Sequence, residues 1–172
     1  KANSKVLVSF LEKWANSTYL LFCPRLLTFS HDFIEKLITP LANEQVNYTV
    51  AKLANAQNEL IDAGFNQQLL NFPSKIDVFN PSVSYHSFVS SALHTCTMYR
   101  VDALLELLYK LPLMPIENTF IAVQCQLVQQ GAYGLRVGDA NGEVIGGSEA
   151  FEKVTRDYSD LITTGYIKAI DV

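Results

Sequence analysis

The apolar residues of this sequence change their spacing near Pro112, and that change limits the folds open to the chain. From about Val83 to Lys110, large apolar side chains recur at the spacing of one helical face, which predicts one long central helix. From Thr119 to Gln129 they alternate with polar or small residues, which predicts a strand with one buried face. Helices and strands that are segregated along a chain favour an α+β fold, with helices covering one face of a sheet.

Capping residues and turn signals divide the rest of the chain. Pro24 ends a first helix, Thr39-Pro40 begins another, and Gly64 is typical of a helix end. A turn at 139–142 joins short strands into an antiparallel meander. Further helices are predicted at 4–22, 31–38, 39–64 and 149–164, and further strands at 76–79, 135–137, 144–145 and 166–172. The prediction is a single compact α+β domain over 1–172: N-terminal helices and one long central helix packed on a small antiparallel β-meander, followed by a C-terminal helix.

Charge is scarce in this chain. Charged residues make up 17% of the sequence and the net charge is −4, whereas an average soluble domain carries about 25% charged residues. The basic residues are scattered, and no two of them are adjacent. Nucleic acids and anionic membrane surfaces require clustered Lys and Arg, so the composition argues against both as partners.

Membrane insertion and secretion are also disfavoured. No run of about 18 apolar residues exists that could form a transmembrane helix, and the first residues lack the pattern of a signal peptide. The three cysteines, Cys23, Cys96 and Cys125, are odd in number and widely spaced. They make a poor disulfide framework and predict reduced thiols. We therefore expect a cytoplasmic protein without direct membrane insertion.

No catalytic or metal-binding pattern is present. On one helix, His86 and His94 would lie about 11 Å apart along the axis, which is too far for one metal ion, and Cys96 would point away from His94. Cys23 is the best candidate nucleophile because Arg25 is near it, but its neighbourhood is apolar. Neither a nucleotide-binding glycine motif nor an acid–base pair can be recognised. We therefore predict no catalytic residue, no metal and no cofactor.

Three apolar segments occur where polar residues are expected, and they predict contact surfaces. The segment at 19–22 is apolar nearly all round, the loop at 111–116 is apolar, and the predicted hairpin at 133–145 has an edge strand that can accept another strand. The predicted partner-binding residues are Tyr19, Leu20, Leu21, Phe22, Leu113, Met114, Ile116, Tyr133, Leu135 and Val137.

The same hairpin carries a resemblance to a known family. The run 132–137 (AYGLRV), the acidic turn at 139–143 and the following Val144-Ile145-Gly146 resemble the tight hairpin of small acidic adaptor-chaperone subunits of Dot/Icm-type IV secretion systems. The acidic composition and the α+β order are similar as well, whereas the N-terminal helical region is longer than in the shortest of those adaptors. The resemblance implies a non-enzymatic subunit that holds a coupling-protein tail or a secreted substrate.

Two functional hypotheses follow. The first is a non-catalytic adaptor or chaperone that binds another protein, in a heteromeric complex, through apolar helix faces and a hairpin edge. The alternative is a small-molecule-binding domain or enzyme in which apolar residues enclose a pocket. In that case Tyr99, Arg100 or His94 would supply the polar anchors.

Overall fold

The computed structural model describes residues 3–14, 16–23, 26–64, 76–89 and 96–145, except for the side chain of Glu117. Within them the strands are β1 (Tyr19–Phe22), β2 (Leu27–Phe29), β3 (Val46–Ala54), β4 (Leu60–Asp62), β5 (Ser87–Val89), β6 (Thr97–Arg100) and β7 (Tyr133–Val144). The helices are α1 (Ser4–Lys13), α2 (Phe33–Ile38), a 3₁₀ helix (Thr39–Ala42), α3 (Pro81–Ser84), α4 (Val101–Leu108) and α5 (Ile116–Gln129). The mixed α+β prediction is confirmed.

Strand β3 lies at the centre of a single seven-stranded sheet. The main order is β1-β6-β3-β7-β2, while β4 pairs with β3 and β5 pairs with β7. Strand β7 runs parallel to β3, and their pairs extend from Val46 opposite Tyr133 to Ala54 opposite Glu143. The other pairings are antiparallel. Because β7 occupies one edge of β3, strands β6 and β4 share the other edge, one after the other.

Helices pack on both faces of the sheet, and each face has its own apolar core. The α5-side core joins α1, α4 and α5 to Tyr48 and Val50 of β3. The α2-side core joins α2 and the 3₁₀ helix to Ala51 and Leu53 of the same strand. Every residue from Tyr48 to Ala54 is therefore buried. The expectation that helices cover only one face is wrong, because β3 alternates its side chains between two apolar layers.

The predicted long central helix is also wrong. Its described part contains α3, β5, β6 and α4 instead. In β6, the residues Thr97, Met98 and Tyr99 are all buried, and a strand that is buried on both faces shows a continuous apolar run rather than alternation. The buried residues of β6 happen to continue the helical spacing of the apolar residues in α4, so periodicity did not separate the strand from the helix.

The predicted meander is a helix followed by one strand. Residues 116–129 form α5, in which all residues from Thr119 to Cys125 are buried. The alternation of apolar and polar residues in this segment therefore does not mark a solvent-exposed face. The side chain of Gln124 donates a hydrogen bond to the hydroxyl of Tyr99 inside the core. The turn predicted at 139–142 lies within β7. There the register with β3 shifts, because β3 advances only from Val50 to Lys52 while β7 advances from Arg136 to Asn141.

The N-terminal helices are shorter than predicted. The helix predicted at 4–22 ends at Lys13, and Tyr19–Phe22 is strand β1. Thr39-Pro40 does begin a helix, but it is a single 3₁₀ turn, and the segment behind it is strands β3 and β4. Gly64 has a positive φ of 66° and follows β4 rather than a helix.

The remaining predicted elements differ in whether the structure describes them. The predicted strand at 76–79 is reduced to one isolated bridge between Asp77 and Glu59. The last helix and the terminal strand lie outside the described residues. Among the helices that the structure describes, none is long and apolar enough to cross a membrane.

Candidate functional site: an exposed helix face beside an edge strand

Helix α1 is held at its start by a loop that is 108 residues further along the sequence. The side chain of Asn3 caps the helix by accepting a hydrogen bond from the backbone N–H of Val6 at 3.2 Å. The backbone N–H of Ser4 donates to the carbonyl of Met114 at 3.0 Å, and the Ser4 hydroxyl donates to the carbonyl of Pro112 at 3.3 Å. These bonds fix the direction of α1 against the loop at 112–115.

Two rows of apolar residues run along α1, and only one of them is buried. Leu7 and Leu11 are 6% and 1% exposed and belong to the α5-side core. Val6, Phe10 and Trp14 are 55%, 51% and 58% exposed. Residues four apart on a helix share one face, so these three side chains form one outward row, here called the α1 ridge.

The α1 ridge combines a large apolar area with a neighbouring positive charge. The rings of Phe10 and Trp14 lie with their centroids 6.4 Å apart and tilted by 44°. Lys5 and Lys13 are exposed on the same short helix. The carboxylate of Glu12 is already engaged, since it accepts a hydrogen bond from the hydroxyl of Tyr109 at 2.8 Å.

That contact between Tyr109 and Glu12 ties α1 to the end of α4. The hydrogen bond to Glu12 raises the pKa of Tyr109, so the phenol keeps its proton and continues to donate. Tyr109 itself is 61% exposed. The two ends of α1 are therefore both fixed, one by the loop at 112–115 and the other by α4, and the ridge is held on a rigid support.

Strand β1 lies at one edge of the sheet. Within the part of the chain that the structure describes, it pairs only with β6, from Tyr19 opposite Arg100 to Phe22 opposite Thr97. Leu20 and Phe22 pack toward the α5-side core. An edge strand of this kind offers backbone N–H and C=O groups to a further strand.

The side chains predicted at 19–22 are thus less exposed than the sequence suggested. All four are half-buried, and Tyr19 and Leu21 pack toward the α2-side core. A strand buried on both faces explains why the segment is apolar all round. What β1 presents to a partner is its backbone edge rather than an apolar patch.

The remaining predicted site residues are scattered. Leu113 is 59% exposed in the loop that holds α1, whereas Met114 is 7% exposed and Ile116 packs against the α5-side core. Tyr133 is 44% exposed. Leu135 packs on the α2-side core.

Val137 is 1% exposed and cannot contact a partner in this structure. The structure therefore brings Leu113 near α1 but leaves the residues of β7 inside the sheet. Tyr133 is the exception among them, because its side chain is 44% exposed. The centroid of its ring lies 5.1 Å from that of Phe88, which is exposed as well.

Two surface hollows are lined by residues that the structure describes. The larger, of about 490 Å³, is lined by Tyr19, Glu44, Arg100, Asp102 and Leu105, among others. Arg100 and Asp102 form an ion pair at 2.8 Å, and the hydrogen bond between them lowers the pKa of Asp102 and raises that of Arg100. Because each charge is already paired, this hollow holds no uncompensated charge from those two groups.

A smaller hollow lies at the carboxyl ends of β3 and β7. It measures about 300 Å³, and its lining includes Phe29, Phe79, Asn141 and Glu143. The Oδ1 atom of Asn141 is buried and has no hydrogen-bond partner among the residues that the structure describes. Of the polar anchors proposed for an enclosed pocket, Tyr99 is buried, Arg100 lines the larger hollow, and His94 lies outside the described residues.

The ionisable core groups do not form a catalytic arrangement among the described residues. The thiol of Cys96 is buried, and its hydrogen bond with Cys23, together with burial, raises its pKa, which is the opposite of what a catalytic cysteine that attacks a substrate needs. Within the same residues, no group of three or more His, Cys, Asp or Glu could hold a metal ion.

The α1 ridge was not predicted, because the apolar residues of α1 all fit the spacing of one helical face. Val6, Leu7, Phe10, Leu11 and Trp14 form two adjacent rows. Two rows on a helix that lies at the surface leave one without a neighbour, and that width was the available signal.

No family model, no curated protein and no solved structure matches this chain.

Proposed function

We propose that the protein is a non-catalytic, cytoplasmic adaptor or chaperone that binds another protein through the α1 ridge. The observation that carries the proposal is the exposure of Val6, Phe10 and Trp14 in one row. Exposed apolar patches bordered by polar residues are typical of protein interfaces, and tryptophan is enriched among the residues that dominate binding energy.

The chemistry of the ridge favours an amphipathic helix as the partner segment. A row of three apolar side chains at a spacing of four matches the apolar face of a second helix. Lys13 is exposed beside this row, so an acidic residue beside the partner's apolar face would be complementary. The proposal includes the partner class that the family resemblance implies, a coupling-protein tail or a secreted substrate of a bacterial type IV system.

Photo-crosslinking tests the proposal directly. A photoreactive phenylalanine analogue replaces Phe10 in cells that naturally make the protein, and it replaces Phe79, which is 64% exposed, as the matched control. We expect one discrete protein adduct at position 10 and none at position 79. The absence of an adduct at position 10, together with a monodisperse monomer of the purified protein, would contradict the proposal.

Binding of the purified partner then measures the ridge itself. Trp14→Ala is expected to weaken affinity by about 30-fold, corresponding to ~2 kcal/mol for a dominant interface residue. Leu26→Ala is the control because Leu26 is 74% exposed and lies away from α1. Equal affinities for the two variants would mean that the adduct formed beside the interface rather than in it.

The larger hollow beside Arg100 supports a second candidate function, binding of a small molecule. Its volume of about 490 Å³ falls within the range of ligand sites. Native mass spectrometry of the protein isolated from its own cells separates the two candidates. A stoichiometric protein partner supports the adaptor, whereas a bound small molecule with no protein partner supports the ligand-binding domain.

A further inference from the structure

Two cysteines that are far apart in sequence meet at the edge of the sheet. The register of β1 and β6 places Phe22 opposite Thr97. The next position on each strand is Cys23 and Cys96, so these residues continue the same antiparallel register. The carbonyl of Cys96 accepts a hydrogen bond from the N–H of Ala51 at 3.2 Å, which shows that the backbone at Cys96 still follows the sheet.

The two side chains point to the same face. Tyr19 and Leu21 of β1 and Met98 of β6 all pack into the α2-side core, and every second residue of a strand shares a face. Cys96 belongs to that core as well, and its thiol is in hydrogen-bonding contact with that of Cys23. Opposed residues of an antiparallel pair have Cα atoms roughly 4.5–5.5 Å apart, within the range of about 4.4–6.8 Å that disulfides require.

The pair is asymmetric in its exposure. Cys23 is exposed, whereas Cys96 is 1% exposed. An oxidant in solution therefore reaches Cys23 first, and Cys96 is placed behind it as the second thiol. Redox-sensing cysteines commonly have this arrangement of an accessible thiol beside a resolving one.

We propose that Cys23 and Cys96 are an oxidative modification site and form a reversible disulfide that links β1 to β6. With hydrogen peroxide as oxidant, the Cys23 sulfur attacks one peroxide oxygen, the O–O bond breaks, and a sulfenic acid and one water are formed. The Cys96 sulfur then attacks the sulfenic sulfur, and the hydroxyl group leaves as a second water. Two thiols and one hydrogen peroxide thus give one disulfide and two waters, and a small dithiol reverses the reaction by exchange.

Peptide mapping of the whole protein tests the site. The protein is treated with hydrogen peroxide, unfolded, alkylated and digested. We expect the loss of two hydrogen atoms from the intact mass and a dithiol-sensitive peptide that links Cys23 to Cys96. Cys125→Ala should form the same linked peptide as the wild type, because Cys125 is buried in α5, away from the pair.

The single variants distinguish a disulfide from independent oxidation. Cys23→Ser should abolish the linked peptide and leave Cys96 open to alkylation after unfolding. Cys96→Ala, chosen because this position is in the core, should leave Cys23 to gain two or three oxygen atoms. Oxidation should raise the urea midpoint of the wild type but not that of Cys23→Ser. A wild-type protein in which Cys23 takes up oxygen while Cys96 stays alkylatable would overturn the proposal.

Discussion

The centre of the sheet and its margin differ in how much each residue is constrained. At the centre, β3 is buried from both faces, and polar groups such as Lys52 of β3 and Arg136 of β7 lie inside. At the margin, β1 is half-buried and α1 exposes a row of large apolar side chains. Apolar residues are therefore packed at the centre and exposed at the margin, although the sequence does not distinguish the two sets.

The largest effect is expected from filling a close contact at the centre. A Cβ atom at Gly134 of β7 would overlap the ring of Tyr48 on the neighbouring strand. Tyr48 is itself fixed by a hydrogen bond from its hydroxyl to the carbonyl of Val89. Gly134→Ala should therefore lower the free energy of unfolding by about 3 kcal/mol or more, the upper range for an overpacked core, as measured by urea denaturation.

Gly131→Ala is the matched control for that substitution. No atom lies within 4 Å of a Cβ at Gly131, and only its φ of 78° opposes a side chain. That strain costs about 1–2 kcal/mol. If Gly131→Ala proved as destabilising as Gly134→Ala, close packing between β3 and β7 would not be the constraint.

An intermediate effect is expected from the two rows of α1. Leu11→Ala removes a side chain that is 1% exposed and should cost about 2–5 kcal/mol of stability. Phe10→Ala removes a larger side chain that is half exposed and should cost under ~1 kcal/mol. Thermal or urea unfolding of the two variants gives the difference. A greater loss for Phe10→Ala would show that the ridge is covered in the folded chain.

The class of the fold could be predicted from the sequence, whereas most of the element bounds could not. The mixed α+β class followed from periodicity, and so did the beginning of α1. The long central helix and the meander failed for one physical reason. A strand buried on both faces and a helix buried all round both lose the contrast between apolar and polar residues on which periodicity depends.

The candidate site was recoverable only in part, because it depends on pairs that are distant in the chain. The apolar loop at 111–116 was recognised, but nothing local shows that Ser4 bonds to it. The contact between Cys23 and Cys96 likewise exists only through the register of β1 and β6. Neither cysteine carries a sequence signal of the other, since loop spacing alone does not fix a pair.

The smallest effect concerns the pH dependence of stability. Lys52 is 1% exposed and donates to the carbonyl of Val78 at 2.8 Å. Burial first, and then the nearby Arg136, lower its pKa below the ordinary value of 10.5. Between the lowered pKa and 10.5 the unfolded chain binds more protons than the folded one, so the free energy of unfolding rises with pH across that interval.

Lys52→Met should remove that rise. Urea midpoints measured from about pH 7 to about pH 10 should increase less for Lys52→Met than for the wild type. Lys110→Met is the control, because Lys110 is exposed and forms a helical ion pair with Glu106. An unchanged slope in Lys52→Met would assign the pH dependence to another group.

The parallel pairing of β3 and β7 also bears on the order in which the chain can fold. Strand β4 follows β3 closely in the sequence, so these two strands can pair soon after they are synthesised. The other edge of β3 stays unpaired until β7 is synthesised, because Val46 pairs with Tyr133. Contacts between distant segments form slowly because loop closure must precede them. A nascent chain that has passed β3 but not yet β7 thus carries an apolar strand with one open edge. That interval, rather than the finished protein, is when it is most exposed to aggregation.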